Sequence, residues 1–163
     1  MLRVLFVCTG NICRSPTAEG VFRKLVADAG LSQRIEAASS GTHSYHVGDG
    51  ADSRSVQAAR RRGYDLSAHR ARRLGAEDFD DFDYLLAMDA DNMRHMRTLA
   101  GSRRAAGAAR AKLAFLLDFS PAVKLDGVPD PYLGAEGFET VLDIIETAAE
   151  GLLEHIRRND LGR

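Results

Sequence analysis

Cysteine, arginine, serine and proline fall together in the segment Cys8-Thr9-Gly10-Asn11-Ile12-Cys13-Arg14-Ser15-Pro16. A cysteine that ends an apolar run, followed by five residues and an arginine, has the parts needed for covalent phosphoryl transfer. Pro16 suits a helix start, where its missing N–H would have no partner in any case, and Ser15 before it is the expected N-cap. A helix N-terminus presents unpaired N–H groups and partial positive charge, which makes it an anion site. Gly10 and Asn11 both tolerate positive φ, so the loop can curl until the amides of residues Thr9, Gly10, Asn11, Ile12 and Cys13 point inward. Arg14 can fork onto two oxygens of a tetrahedral anion. Cys8 then lies in a positive bowl that favours its thiolate form. A thiolate beneath a phosphoryl group ringed by donors is arranged for nucleophilic displacement. Magnesium is not needed, since Arg14 and the amides neutralise the developing charge, and no cofactor is expected. The absence of a following Gly-Lys-Ser/Thr sets the segment apart from nucleotide-binding phosphate loops.

Displacement at phosphorus expels an oxyanion that needs a proton. Asp130 lies between Pro129 and Pro131, and the flanking prolines stiffen the backbone as an acid over a pocket mouth requires. On these residues alone a surface turn is the commoner explanation. Cys13 has three readings: a small buried neighbour of the nucleophile, a redox partner for it, or a zinc ligand with Cys8, His43 and His46. The zinc reading is disfavoured, because the spacing is unusual and the metal would consume the nucleophile.

An open parallel sheet would position this loop. Leu2–Val7, Ile35–Ser39, Tyr84–Met88 and Leu113–Leu117 are short apolar runs of the kind buried as strands. Ala18, Val21, Phe22, Leu25, Val26 and Ala29 recur at helical spacing before Gly30. Asp52 to Arg62, closed by Gly63, is a second predicted helix. A third begins at Asp89 or Asp91, with Met93 and Met96 turned to the core rather than to a metal. The last runs from about Phe138 to about Arg158, its apolar face formed by Phe138, Val141, Leu142, Ile145, Ala149, Leu152 and Ile156. The small-residue stretch Ala105–Ala111 is expected to be a loop, and Glu77–Asp83 a solvated acidic turn. His95 and His155 are expected to be exposed. Alternation of strands and helices predicts an α/β fold: a three-layer open sheet of four parallel strands with helices on both faces, the phosphate-binding loop following strand 1. Ligands bind such sheets outside the carboxyl ends of the strands, near a topological switch point, which is where Cys8 falls.

The 163 residues suit one domain, here residues 1–163, and a sizeable core. A hydrophobic content of 45% with 28% charged residues argues for a soluble globular chain rather than a disordered one. A formal net charge of −1 argues against a nucleic-acid or anionic-membrane partner. Two cysteines cannot form the disulfide framework of a secreted domain, and the first apolar run is too short for a span or signal peptide. A cytoplasmic location is therefore expected.

The segment Val7–Pro16 resembles the signature of the low-molecular-weight protein tyrosine phosphatases. The likeness continues in order through Ser40-Gly41, Val47-Gly48, Ala68-His69, Met88-Asp89 and Asp130-Pro131-Tyr132. The resemblance implies that Cys8 is the nucleophile, Arg14 the phosphate clamp, and Asp130 the general acid and then the base for water. It also implies that the Ser15 hydroxyl bonds the thiolate and eases its departure. Tyr45 and Tyr132 resemble aromatic walls that stack on a phosphotyrosine ring, while Asn11, Ser40 and His69 resemble a polar network supporting the loop. His69 taken alone would more simply be a surface histidine. For Cys13 the resemblance favours capture of oxidised Cys8 as a reversible disulfide. Tyr45 stands where many relatives carry tryptophan, and Leu133 departs from a frequent tyrosine pair, so both bear on substrate preference.

The resulting expectation is a metal-independent phosphotyrosine phosphatase acting on a tyrosine-phosphorylated protein, a cognate tyrosine kinase among the candidates. A protein-arginine phosphatase on the same scaffold is the alternative. Relatives with that activity often carry threonine where this chain has Ile12, and an apolar branched residue suits an aromatic ring better. A thioredoxin-coupled arsenate reductase would need cysteines after Cys13, and none follows. A noncatalytic phosphate-binding module would have little use for Cys8, Arg14 and Asp130 together.

Overall fold

The computed structural model describes residues 1–105, 111–131 and 137–162. Four parallel strands, β1 (Leu2–Cys8), β2 (Ile35–Gly41), β3 (Tyr84–Ala87) and β4 (Lys112–Phe115), form a sheet of order β2-β1-β3-β4. Among the described residues five α-helices accompany it: α1 (Arg14–Asp28), α2 (Ser53–Arg61), α3 (Asp78–Asp81), α4 (Ala90–Ala105) and α5 (Phe138–Asn159).

The period of two along each strand divides the core. Val4, Phe6 and Cys8 of β1, with Tyr84 and Leu86 of β3, face a cluster completed by α1 and α5. Leu5, Val7, Leu85 and Ala87 face the opposite cluster, which includes Phe79 of α3 and Met93 and Met96 of α4. Both methionines are core residues. The last helix buries Val141, Leu142, Ile145, Ala149, Leu152 and Ile156 in the predicted stripe. Since β1 leads to β2 on one side and the chain returns to β3 on the other, the carboxyl end of β1 is a topological switch point.

The helix boundaries follow local chemistry. Gly30, at φ 72°, ends α1, with Gly30 N–H donating to Ala27 O and Leu31 N–H to Val26 O. Asp52 caps α2 by accepting from the Arg54 amide at 2.9 Å, and Gly63, at φ 87°, follows its end. Asp89 and Asn92 exchange side-chain-to-amide bonds at the start of α4.

Several expectations are corrected. The fourth strand stops at Phe115, and Leu116–Phe119 form a 3₁₀ turn; the Asp118 carboxylate accepts the Phe115 amide at 3.0 Å and bends the chain. Met88 lies just past β3. The acidic run is not a solvated turn throughout, because Asp78–Asp81 is helical and Phe79 is fully buried. Buried Asp78 accepts from the Arg72 guanidinium and the Gly75 amide, which offsets the cost of its burial. His155 is half-buried against the rings of Tyr84 and Phe119, whereas His95 is exposed. Of the expected loop at Ala105–Ala111, Ala105 ends α4, and residues 106–110 lie outside the described residues.

Candidate active site

The chain leaves β1 at Cys8 and enters α1 at Arg14. Asn11 makes this tight passage possible at φ 60°, the left-handed conformation in which asparagine is favoured. Gly10 does not share the positive φ expected of it; a side chain there would press on the His46 ring at 3.0 Å. Ser15 is likewise not the N-cap. The helix begins at Arg14, two residues before Pro16, with Cys13 in the cap position and no capping bond from its side chain. Pro16 still lies in the first turn, where a missing N–H costs nothing.

Freed from capping, Ser15 turns its hydroxyl inward. Its Oγ lies 3.0 Å from Cys8 Sγ, accepts from Asn11 Nδ2 at 2.7 Å, and lies 3.3 Å from Ser40 O. The Asn11 amide donates to Cys8 Sγ at 3.3 Å. The Asn11 side chain also donates to Ser39 Oγ at 3.0 Å and accepts from the Arg72 amide at 2.9 Å. His69 Nε2 lies 2.7 Å from Asn11 O, and that carbonyl can only accept, so this nitrogen carries the proton. Ser40 thus joins the network through its carbonyl and not its hydroxyl. Its Oγ is buried and unpaired among the described residues, while Ser39, donating onward to Glu19 Oε1 at 2.7 Å, fills the place expected of it.

Arg14 is 2% exposed and enters the site from the first turn of α1. Its Nη1 donates to Asp89 Oδ2 at 2.6 Å and to Val128 O at 3.1 Å. Its Nη2 donates to Thr9 Oγ1 at 3.3 Å and lies 3.7 Å from Asp130 Oδ2. Burial alone would lower the Arg14 pKa. The charges of Cys8, Asp89 and Asp130 more than offset that, so it is raised and the guanidinium is held charged. Thr9 Oγ1 also accepts from Asn92 Nδ2 at 3.2 Å, which ties the loop to α4. Cys13 is buried; burial first, then the Asp52 charge, pushes its thiol up to about 12.

These groups line a cavity of roughly 170 Å³ bounded by Cys8, Thr9, Gly10, Ile12, Cys13, Arg14, Tyr45, His46 and Asp130. Asp130 stands at the mouth with its side chain 43% exposed. Tyr45 is exposed and stacks on His43 at 5.1 Å between ring centroids. Tyr132 and Leu133 lie outside the described residues. Cys8, Cys13 and His46 line this one cavity, but no group of three or more His, Cys, Asp or Glu side chains that could hold a metal ion occurs among the described residues. Sequence reasoning missed the parts that hold Arg14 and Asn11: Asp89, Asn92, Ser39 and Arg72. Only Asp89 had a legible signal, since it directly follows the carboxyl end of a predicted strand, where α/β sites form.

Comparison with known proteins adds a second line of argument. A family model described as low molecular weight phosphotyrosine protein phosphatase matches residues 3–161. A low molecular weight protein-tyrosine-phosphatase of Streptomyces coelicolor is 47% identical, over 99% of this chain and 97% of the relative. The crystal structure of YfkJ from Bacillus subtilis superimposes with a TM-score of 0.91 at 40% identity, covering 98% of this chain and 97% of that one. That of a Drosophila arginine phosphatase does so with a TM-score of 0.89 at 32% identity, covering 98% of this chain and all of the other. Among the described residues no helix is long and apolar enough to cross a membrane.

Proposed function

The chain belongs to the low molecular weight phosphotyrosine protein phosphatase family, and on that premise we propose that it hydrolyses phosphotyrosine in proteins through a phosphocysteine at Cys8. The observation that carries this reading is the position of Cys8 Sγ, in contact with the Asn11 amide and Ser15 hydroxyl, inside a cavity that Arg14 and Asp130 also line.

In the first step the Cys8 thiolate forms an S–P bond as the P–O bond to tyrosine breaks, and Asp130 delivers its proton to the departing phenolate oxygen. The phosphoryl oxygens take bonds from the amides of residues 9–13 and from the guanidinium. Arg14 Nη1 is committed to Asp89 and Val128, which leaves the Nε and Nη2 edge to fork onto two oxygens. In the second step Asp130, now a carboxylate, removes a proton from water as its oxygen attacks phosphorus. The S–P bond breaks, and Cys8 leaves as a thiolate that accepts the Ser15 hydroxyl proton in a hydrogen bond. Inorganic phosphate is released and the starting protonation states return. Tyr45 walls the tyrosine ring, a role the family resemblance also gives Tyr132, and Asn11, Ser40 and His69 support the loop. Cys13 guards the nucleophile by forming a reversible disulfide when Cys8 is oxidised.

We take residues 1–163 as one phosphatase domain with no metal or cofactor. The nucleophile requires a reduced thiol, which supports a cytoplasmic location. A cognate tyrosine kinase is a candidate substrate. Hydrolysis of p-nitrophenyl phosphate in the presence of EDTA, inhibition by vanadate and loss of activity in Cys8→Ser are the expected results. Full activity in Cys8→Ser would remove the proposal.

The protein-arginine phosphatase reading draws support from the Drosophila arginine phosphatase fold. Ile12, 8% exposed on the cavity wall, favours an aromatic ring instead. A side-by-side assay of phosphotyrosine and phosphoarginine peptides decides between them, with phosphotyrosine expected to be the better substrate.

A further inference from the structure

Beside the catalytic cavity lies an open groove of roughly 730 Å³, whose walls include Thr42, Arg73, Leu74, Arg94, His95 and Leu99. We propose that this groove docks an acidic segment of the phosphoprotein substrate, so that the enzyme selects phosphotyrosines with aspartate or glutamate nearby in sequence. This inference rests on the phosphatase reading of the Cys8 site and adds the class of substrate to it.

Continuity with the catalytic loop is the first argument. Thr42 N–H donates to Cys8 O at 2.9 Å and His43 N–H to Thr9 O at 3.0 Å, so the groove floor is bonded to the loop itself. His43 stacks on Tyr45 on one side and meets the His95 ring at 4.8 Å on the other. One ring therefore spans from the cavity wall to the groove wall. The opposite wall belongs to α4, where Arg94 and His95 follow Asn92, the residue bonded to Thr9. A peptide leaving the cavity past Tyr45 reaches the groove directly.

Charge is the second argument. Arg73 is exposed and makes no ion pair among the described residues. It is carried on a segment fixed to the end of β2 by Leu74 N–H donating to Gly41 O at 2.7 Å. Arg94 is partly neutralised by its pair with Asp91, so the groove is moderately rather than strongly positive. This local excess contrasts with a chain whose formal net charge is −1. Leu99, exposed on the groove wall, supplies apolar contact for the stems of glutamate side chains.

The test compares three synthetic phosphotyrosine peptides of equal length: one neutral, one with three acidic residues before the phosphotyrosine, and one with three after it. One of the two acidic peptides should show a kcat/KM about three- to ten-fold above the neutral peptide, mostly through KM, as expected for two charges at the rim of a binding surface. Raising ionic strength from about 0.05 to 0.5 M should shrink that preference. The double variant Arg73→Gln, Arg94→Gln should abolish it while leaving p-nitrophenyl phosphate turnover unchanged. Equal rates on all three peptides, or a preference that survives in the double variant, would overturn the docking proposal alone. No turnover of any phosphotyrosine ester would overturn the phosphatase reading and this inference with it.

Discussion

Ser15 Oγ lies 3.0 Å from Cys8 Sγ and accepts from Asn11 Nδ2, so its one proton must choose between the sulfur and Ser40 O at 3.3 Å. A thiolate leaving phosphorus makes the sulfur the better acceptor, and the bond then strengthens during breakdown of the phosphocysteine. Ser15→Ala should therefore slow the second step far more than the first. We expect kcat for p-nitrophenyl phosphate to fall on the order of 10²-fold, with a burst of p-nitrophenol equal to the enzyme concentration in stopped-flow records. A comparable fall without a burst would place the role of Ser15 in the first step or in folding.

Asp130 stands 3.7 Å from Arg14 Nη2 at the mouth of the cavity, where the proposed mechanism has it protonate the leaving oxygen. Asp130→Asn should cost on the order of 10²-fold or more in kcat for a phosphotyrosine peptide, because the phenolate of tyrosine needs that proton. For 2,4-dinitrophenyl phosphate, whose leaving group departs as a stable anion, the cost of the first step should nearly vanish. Plotting log kcat/KM against leaving-group pKa should give a steeper slope for the variant than for the parent. Parallel lines would remove Asp130 as the acid.

Asn11 combines a left-handed backbone with side-chain bonds to Ser15, Ser39 and the Arg72 amide, all in a fully buried position. Asn11→Ala carries both penalties and should lower stability by about 2–4 kcal/mol in urea unfolding. Asn11→Gly removes the conformational penalty and keeps the lost bonds, so it should fall between the parent and Asn11→Ala. If the two variants are equally unstable, the bonds and not the backbone dominate.

The residues proposed to carry the chemistry can be picked out because they are local: Cys8, Arg14 and Ser15 occupy one short segment, and the strand before it and the helix after it each announce themselves by composition. Beyond Asn11, His69 and the place of Asp89 after a predicted strand, their support was not legible, because it is assembled across the sheet. Asp89 reaches Arg14 from a distance of 75 residues in sequence, and Arg72 reaches Asn11 from 61. No periodicity in either segment marks such a meeting. Asp78 shows the same limit in reverse. A run of acidic residues reads as solvated when nothing local predicts that the Arg72 guanidinium will meet one of them in the interior. Ser15 and Gly10 depart from expectation for a different reason, since both residue types have more than one conformational use and the helix starts two residues earlier than the cap rule implies.

Cys13 and Cys8 should respond to alkylation in opposite ways. The Cys13 thiol is buried and pushed up to about 12, so it stays neutral and unreactive at pH 7.5. Iodoacetamide should therefore modify one cysteine per chain, found at Cys8 by peptide mass spectrometry, with loss of activity. Linkage gives a second readout. A thiol whose folded pKa lies above its unfolded value of 9.0 adds stability that is fully present below pH 9 and is lost as pH climbs from there toward about 12. Urea midpoints measured at pH 8, 9 and 10 should decline more steeply for the parent than for Cys13→Ala. Labelling of Cys13 at pH 7.5 in folded protein would contradict both expectations.

Gly151 tests whether helix propensity or packing governs α5. In an open helix interior, Gly→Ala stabilises by about 1 kcal/mol. A Cβ at position 151, however, would fall far inside van der Waals contact with Phe119 O. That carbonyl ends the 3₁₀ turn of Leu116–Phe119, which packs against α5 and is itself pinned by Asp118. It is main chain and cannot rotate away as a long side chain would, so either the turn or the helix must shift. Overpacking of this kind costs about 1–3 kcal/mol, enough to outweigh the propensity gain. Gly151→Ala should lower the urea midpoint, with Gly151→Ser lower still. Because neither residue lines the catalytic cavity, kcat per folded molecule should not change. A raised midpoint in Gly151→Ala would mean that α5 slides along the sheet at little cost, and that the contact at Phe119 is not what sets its position.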